Sequence, residues 1–279
     1  MSREENAAIF EDTERLCKTN PKLKESIMKS TAQQKLILEG DSLLQTDKNI
    51  YTEPAQVIVS KKRSYEAADR YKNQKVCVHN FASATNPGGG VTKGANAQEE
   101  CLCRCSGLYF CLNTQEMRDR FYTPHRNSHD PLHNDDIIYT PNVTVFKTDT
   151  ANPKLMPEND WYEVNVITCA APNLRQRPSN AYNSGDGNTA AEITDKELLA
   201  LHEKRLRRIL DVAVMEENEV VILGAFGCGA FSNDPEVVAQ AAKNVIAEYR
   251  YAFKTIEFAV YCSPWDERNY KVFERVMKG

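Results

Sequence analysis

Residues 75–104 read KVCVHNFASATNPGGGVTKGANAQEECLCR, and the architecture follows from this stretch. Residues 75–81 form a short apolar run of buried-strand character. Asn86-Pro87-Gly88-Gly89-Gly90 then ends the run with residues that favour turns. Residues 98–112 read as a helix, which puts the positive end of its dipole beside the glycines. Three consecutive glycines remove the Cβ atoms that would keep a phosphate or a sugar away from backbone N–H groups. After the triplet, at the start of the helix, stands the carboxylate pair Glu99-Glu100. A glycine triplet alone marks a turn, and two acids in a first helical turn complement the dipole. Together, at this spacing, they point to an anion cradle next to a proton donor.

Residues 220–235, VVILGAFGCGAFSNDP, repeat the arrangement of strand, glycine loop and helix start. The order G-x-x-G-x-G is not the G-x-G-x-x-G of a dinucleotide fingerprint, and no acidic residue follows at the matching distance. By itself this loop is either a nucleotide loop or a tight structural turn. Two such loops at the carboxyl ends of two strands would enclose one diphosphate from both sides.

Around these segments the chain alternates. Residues 3–38 read as amphipathic helices broken near Thr19-Asn20-Pro21. Strand character recurs at 55–59, 137–146, 162–170 and 256–261, with helices expected at 64–71, 196–217, 235–253 and from the last strand through Phe273. The reading is an α/β fold with a mixed, mostly parallel central sheet between helical layers. One domain is expected over residues 1–279, with residues 1–50 as an N-terminal helical extension. Residues 172–197 are polar and form a loop, either a substrate lid or a featureless excursion.

Composition narrows the function. A net charge of −4 argues against coating nucleic acid by bulk electrostatics, so no direct nucleic-acid binding is expected. A polyanionic ligand must be held by backbone N–H groups and a few placed cations. No apolar run reaches membrane-spanning length. The first 18 residues, MSREENAAIFEDTERLCK, lack a signal-peptide core, and nine cysteines fit free thiols in a cytoplasmic, reducing setting. Cys101, Cys103 and Cys105 lack the paired spacing of a zinc site. His125, His129 and His133, in FYTPHRNSHDPLH, fit an irregular, solvated loop rather than a metal-binding helix. No metal and no cofactor is expected.

The segment at 80–104 resembles the poly(ADP-ribose) glycohydrolases, the hydrolytic branch of the macrodomain superfamily, and in particular their bacterial type. The loop at 224–231 is similar to the same family, as are IIYTPNVTVFKTD at 137–149, VITCAAPN at 166–173 and FAVYCSPWDERNYKVF at 258–273. The resemblance implies a macrodomain-like three-layer α/β/α fold with added N-terminal helices. It implies Glu100 as the catalytic acid, with Glu99 holding ribose hydroxyls and Gln98 supporting both. Gly88, Gly89, Gly90 and Val91 would cradle the diphosphate and distal ribose. Gly227, Cys228, Gly229 and Ala230 would close from the other side, with Phe231 packed on the terminal ribose. Asn80 would face the cleft, and Tyr261 would stack on adenine, with Tyr270 and Phe273 as weaker candidates. Animal members carry Asn where Ala225 stands here, whereas Ser83 and the ATNP lead-in fit the bacterial branch.

The expected chemistry is hydrolysis of the ribose–ribose O-glycosidic bond of poly(ADP-ribose), reversing ADP-ribosylation of proteins, as in a DNA damage response. Glu100, its pKa raised by burial and by Glu99, would protonate the leaving hydroxyl and then activate water. Adjacent helical residues point about 100° apart, so Glu99 need not be a second catalytic group. The alternatives are a mono-ADP-ribosyl hydrolase and a module that binds ADP-ribose without cleaving it. A monomer is expected.

Overall fold

The computed structural model describes every residue except Gln45 and Tyr182, so the loop reading of 172–197 lies outside the described residues at Tyr182. Seven strands form one sheet: β1 (Lys35–Ile37), β2 (Gln56–Ser60), β3 (Val76–Ala82), β4 (Ile137–Val145), β5 (Tyr162–Ala170), β6 (Val220–Leu223) and β7 (Thr255–Ala259). Their order is β1-β4-β5-β3-β6-β7-β2. The run from β5 through β3, β6 and β7 to β2 is parallel, while β1 and β4 pair antiparallel at the other edge.

Alternation along the strands divides the core in two. Cys77, Ile167, Val221 and Phe258 pack on one face with Ile209, Val238, Val245 and Phe273 of the C-terminal helices. Val76, Val78, Val166 and Ile222 pack on the other with Phe10, Leu102 and Leu112. A sheet apolar on both faces must be covered on both, and this gives the three layers.

The observed elements depart from the expected ones at three places. Residues 35–37, read within a helical stretch, form β1 and pair with residues 137–139 of β4. The helix expected over 98–112 is two helices, Gln98–Cys105 and Leu108–Leu112. The break falls where Ser106 bridges Val145, and where a Cβ on Gly107 would lie 2.9 Å from Ile27. Third, the histidine segment is a solvated loop only in part: His129 is exposed and irregular, but the other two histidines are not exposed. Thr123–Ser128 is helical and continues the π-helical turn Arg118–Tyr122, with Pro124 directly after that turn. His125 and His133 are buried, the first bonded to the Phe121 carbonyl and Asn134, the second to the Ala171 carbonyl.

Candidate active site

Because β3 and β6 are neighbours and parallel, the loops that leave them emerge side by side. A cleft of about 990 Å³ lies there, lined by Gly89, Glu99 and Glu100 from the first loop and helix, and by Gly227, Ala230 and Phe231 from the second. This is the position where open parallel sheets place ligands, outside the carboxyl ends of the strands.

Gly89 joins the two glutamates. Its φ is +58°, and a Cβ there would overlap the Glu100 carboxylate and lie 3.3 Å from Oε2 of Glu99. Side chains that leave the helix in different directions thus return to one glycine. Glu100 accepts from the N–H of Gly90 at 2.8 Å and, as a helix-capping contact, from that of Ala97 at 3.0 Å. Glu99 accepts from Asn80 Nδ2 at 3.2 Å and from the Ser83 N–H at 2.8 Å. Burial, and then the charge of Glu100, push Glu99 up to about 8, although those donors and Gly88 oppose the shift. The raised pKa thus lies on Glu99, the carboxylate next to the expected acid.

The second loop presents donors. The N–H groups of Gly227, Gly229, Ala230 and Phe231 have no acceptor among the described residues. Gly227 needs its φ of +79°, and a Cβ there would lie 2.6 Å from Asn233 Nδ2. Asn233 is the clamp. It is buried, donates through Nδ2 to the carbonyls of Pro172, Gly227 and Phe231, and accepts through Oδ1 from His202 Nε2 at 2.8 Å. Burial keeps His202 neutral, its pKa lowered to about 4.

The other sequence-predicted residues divide between the cleft wall and its support. Gly229, Gln98 and Tyr261 line the cleft. Gln98 is committed to the strand beneath, accepting from the Phe81 N–H at 2.9 Å and donating to the His79 carbonyl at 2.8 Å. Asn80 sits fully buried behind Glu99, within β3 rather than at its end, and braces the carboxylate instead of facing the cleft. Gly88, Gly90 and Val91 lie beneath the surface of the cradle, and Cys228 is turned off the lining. Tyr261 is half exposed, with the Arg63 guanidinium 4.0 Å from its ring centroid. Phe273 is in the core, and Tyr270 bonds Glu274, so neither reaches the cleft. Cys101, Cys103 and Cys105 are buried free thiols, and among the described residues no group of three His, Cys, Asp or Glu is placed to hold a metal.

Sequence reading missed Asn233, Asp149 and the docking of the 172–197 loop. Asp149 lines the cleft with one carboxylate oxygen unpartnered, and burial raises it to about 6 despite Arg63 nearby. The loop is held by Asp186, which accepts from Asn173 and Asn183 and pairs with His133 at 3.3 Å. Asn183 in turn accepts from Ser83 Oγ at 2.6 Å, next to the Glu99 support. The density of Asn, Asp and Gly in SNAYNSGDGN was the available signal.

The family model described as microbial-type PARG, catalytic domain, matches residues 4–148. Among solved structures, the chain is similar to poly(ADP-ribose) glycohydrolase from Thermomonospora curvata, with 28% identity, 98% of this chain and 99% of that one covered, and a TM-score of 0.83. The same enzyme bound to the inhibitor ADP-HPD gives 28% identity, 98% and 99% coverage, and 0.80. Poly(ADP-ribose) glycohydrolase from Deinococcus radiodurans in complex with ADP-ribose gives 30% identity, 90% and 96% coverage, and 0.74. No curated protein matches the sequence. Among the described residues no helix is long and apolar enough to cross a membrane.

Proposed function

The chain belongs to the microbial-type poly(ADP-ribose) glycohydrolase family, and on that premise we propose that it cleaves poly(ADP-ribose) by proton transfer at Glu100. The activity is that of a glycosidase, releasing ADP-ribose from chains carried on proteins. The observation that carries the residue assignment is the meeting of both carboxylates over Gly89, in one cleft with the unpaired N–H groups of the second loop.

On this reading the diphosphate lies against the N–H groups of Gly227 to Phe231, with the glycine triplet opposite. The distal ribose then lies at Glu99 and Phe231, and adenine against Tyr261. The C1″–O bond breaks through an oxocarbenium-like state while Glu100 passes a proton to the leaving 2′-oxygen. The fixed diphosphate stabilises the cationic sugar. Glu100, now ionised, takes a proton from the water that attacks C1″, which completes hydrolysis and restores the acid. Two adjacent carboxylates of this kind differ from the separated acid and base of ordinary glycosidases.

The test is release of ADP-ribose from automodified polymer by the wild type and by Glu100→Gln, with ADP-ribose binding followed by calorimetry. The variant should bind ADP-ribose normally and lose turnover by roughly 10²–10⁴-fold, as expected for loss of a general acid. A fully active variant would remove Glu100 from this role. Binding by a wild type that releases nothing would favour a reader module instead.

A further inference from the structure

The loop at 172–197 brings one cation to the cleft that the reaction above does not use. Arg175 lines the cleft, half-buried. Its position is fixed by the backbone. The Leu174 N–H donates to the Phe231 carbonyl at 2.9 Å, and the Arg175 N–H to Asn173 Oδ1 at 3.3 Å. Asn173 is fully buried and held by Asp186 at 2.7 Å. The residue is thus seated beside Phe231, on the last step of the second glycine loop.

Its guanidinium has no partner among the described residues. Among the described residues, neither Arg175 nor Arg177 takes part in a side-chain hydrogen bond, an ion pair or a ring contact, whereas Arg63, Arg104, Arg126 and Arg205 are all engaged. The carboxylate that organises this loop, Asp186, is satisfied by His133, Asn173 and Asn183. A half-buried guanidinium with no protein counter-ion suits a bidentate phosphate or carboxylate contact. Arg177, two residues on, is exposed and extends the same charge outward.

The order of groups along the second loop identifies the anion. Gly227 to Ala230 offer backbone N–H groups for the bound diphosphate, Phe231 marks the ribose whose bond is cut, and Arg175 comes next. What lies beyond that ribose is the leaving part of the substrate. We infer that Arg175 binds the diphosphate of the leaving ADP-ribose unit, so that the cleft selects a chain over a lone acceptor; this rests on the proposed function. Arg175 is a specificity-determining residue that does not touch the reacting atoms.

Two defined substrates test it: the ADP-ribose dimer, and a synthetic analogue in which ADP-ribose is joined through C1″ to the 2′-oxygen of adenosine, so that the leaving unit carries no diphosphate. Both contain the same glycosidic bond and leaving hydroxyl. The wild type should favour the intact dimer about tenfold in kcat/KM, equivalent to about 1.4 kcal/mol. Arg175→Ala should lose that preference through KM, with kcat and ADP-ribose affinity within twofold of wild type, the pattern of lost uniform binding. Arg175→Lys should keep part of it, and the salt dependence of cleavage should be less steep in the alanine variant. An alanine variant that retains the full preference overturns the assignment. So does one that weakens both substrates and ADP-ribose alike, because Arg175 would then hold the diphosphate inside the cleft. A wild type that cleaves neither substrate overturns the functional reading itself, and this assignment with it.

Discussion

Replacing Glu99 by Gln should change how stability depends on pH more than it changes the fold. Glu99 is buried, and its pKa is raised from an ordinary 4.5 to about 8 by burial and by Glu100. Between those values the folded chain keeps a proton that the unfolded chain has released. For such a group, stability is fully present below about 4.5 and is lost as pH rises through the folded value. One retained proton sets the ceiling at about 1.4 kcal/mol per pH unit. From pH 5 to pH 8 the wild type should therefore lose roughly 3–4 kcal/mol that Glu99→Gln does not lose.

The starting point also follows from the contacts. At pH 5 the protonated Glu99 has one donor to place among groups that already donate to it, Asn80 Nδ2 and the Ser83 N–H. The glutamine amide brings two donors to the same place, so the variant should begin about 1 kcal/mol less stable. The curves should cross at about pH 6, with the variant the more stable protein at pH 8. Urea unfolding of both proteins at pH 5, 6.5 and 8 measures this, with ionisations common to the two cancelling in the difference. Parallel curves would refute the reasoning, since they would mean that no proton is held at Glu99.

Two further substitutions probe the walls. Gly89→Ala places a Cβ at a φ of +58° and against the Glu100 carboxylate; it should cost about 1–2 kcal/mol of stability for the left-handed backbone and lower turnover about 100-fold through misplacement of the acid. Thermal unfolding and kcat read the two effects separately, and near-normal kcat would show that the carboxylate is not seated on this glycine. Tyr261→Ala, at a side chain 50% exposed, should leave the melting temperature almost unchanged while weakening ADP-ribose binding about tenfold, as loss of an aromatic stack implies. Unaltered affinity by calorimetry would remove Tyr261 from the adenine site.

Much of the sheet was legible because its strands are apolar on both faces, and runs such as 75–81 and 220–223 are hard to place elsewhere than in a buried parallel sheet. The glycine loops were legible for a local reason: few other residues allow the backbone of Gly88, Gly89 and Gly227 to take positive φ. What was lost depended on contacts distant in sequence. β1 is three residues long and exists through its pairing with β4. The helix after Glu100 stops at Ser106 because Val145 and Ile27 approach it there. Glu99 and Glu100 are indistinguishable as letters. One rests on Asn80 and Ser83 and the other on Gly90 and Ala97, and only their positions in the fold assign those donors.

The N-terminal helix, Arg3–Thr19, connects these levels. It was expected as an addition to the domain, yet its residues complete the wall of the site. Asn6 donates to the Gly94 carbonyl at 3.3 Å, and Thr13 to the Arg104 carbonyl at 2.6 Å. Gly94 must be glycine here, since a Cβ would run into the Arg3 backbone. From the other side, Lys147 Nζ reaches the Ile9 carbonyl at 3.0 Å and Thr13 at 2.8 Å. The helix thus holds both the end of the first loop and the helix that bears the two glutamates. Both carboxylates keep their place only if the helix that bears them keeps its own, and this packing fixes it.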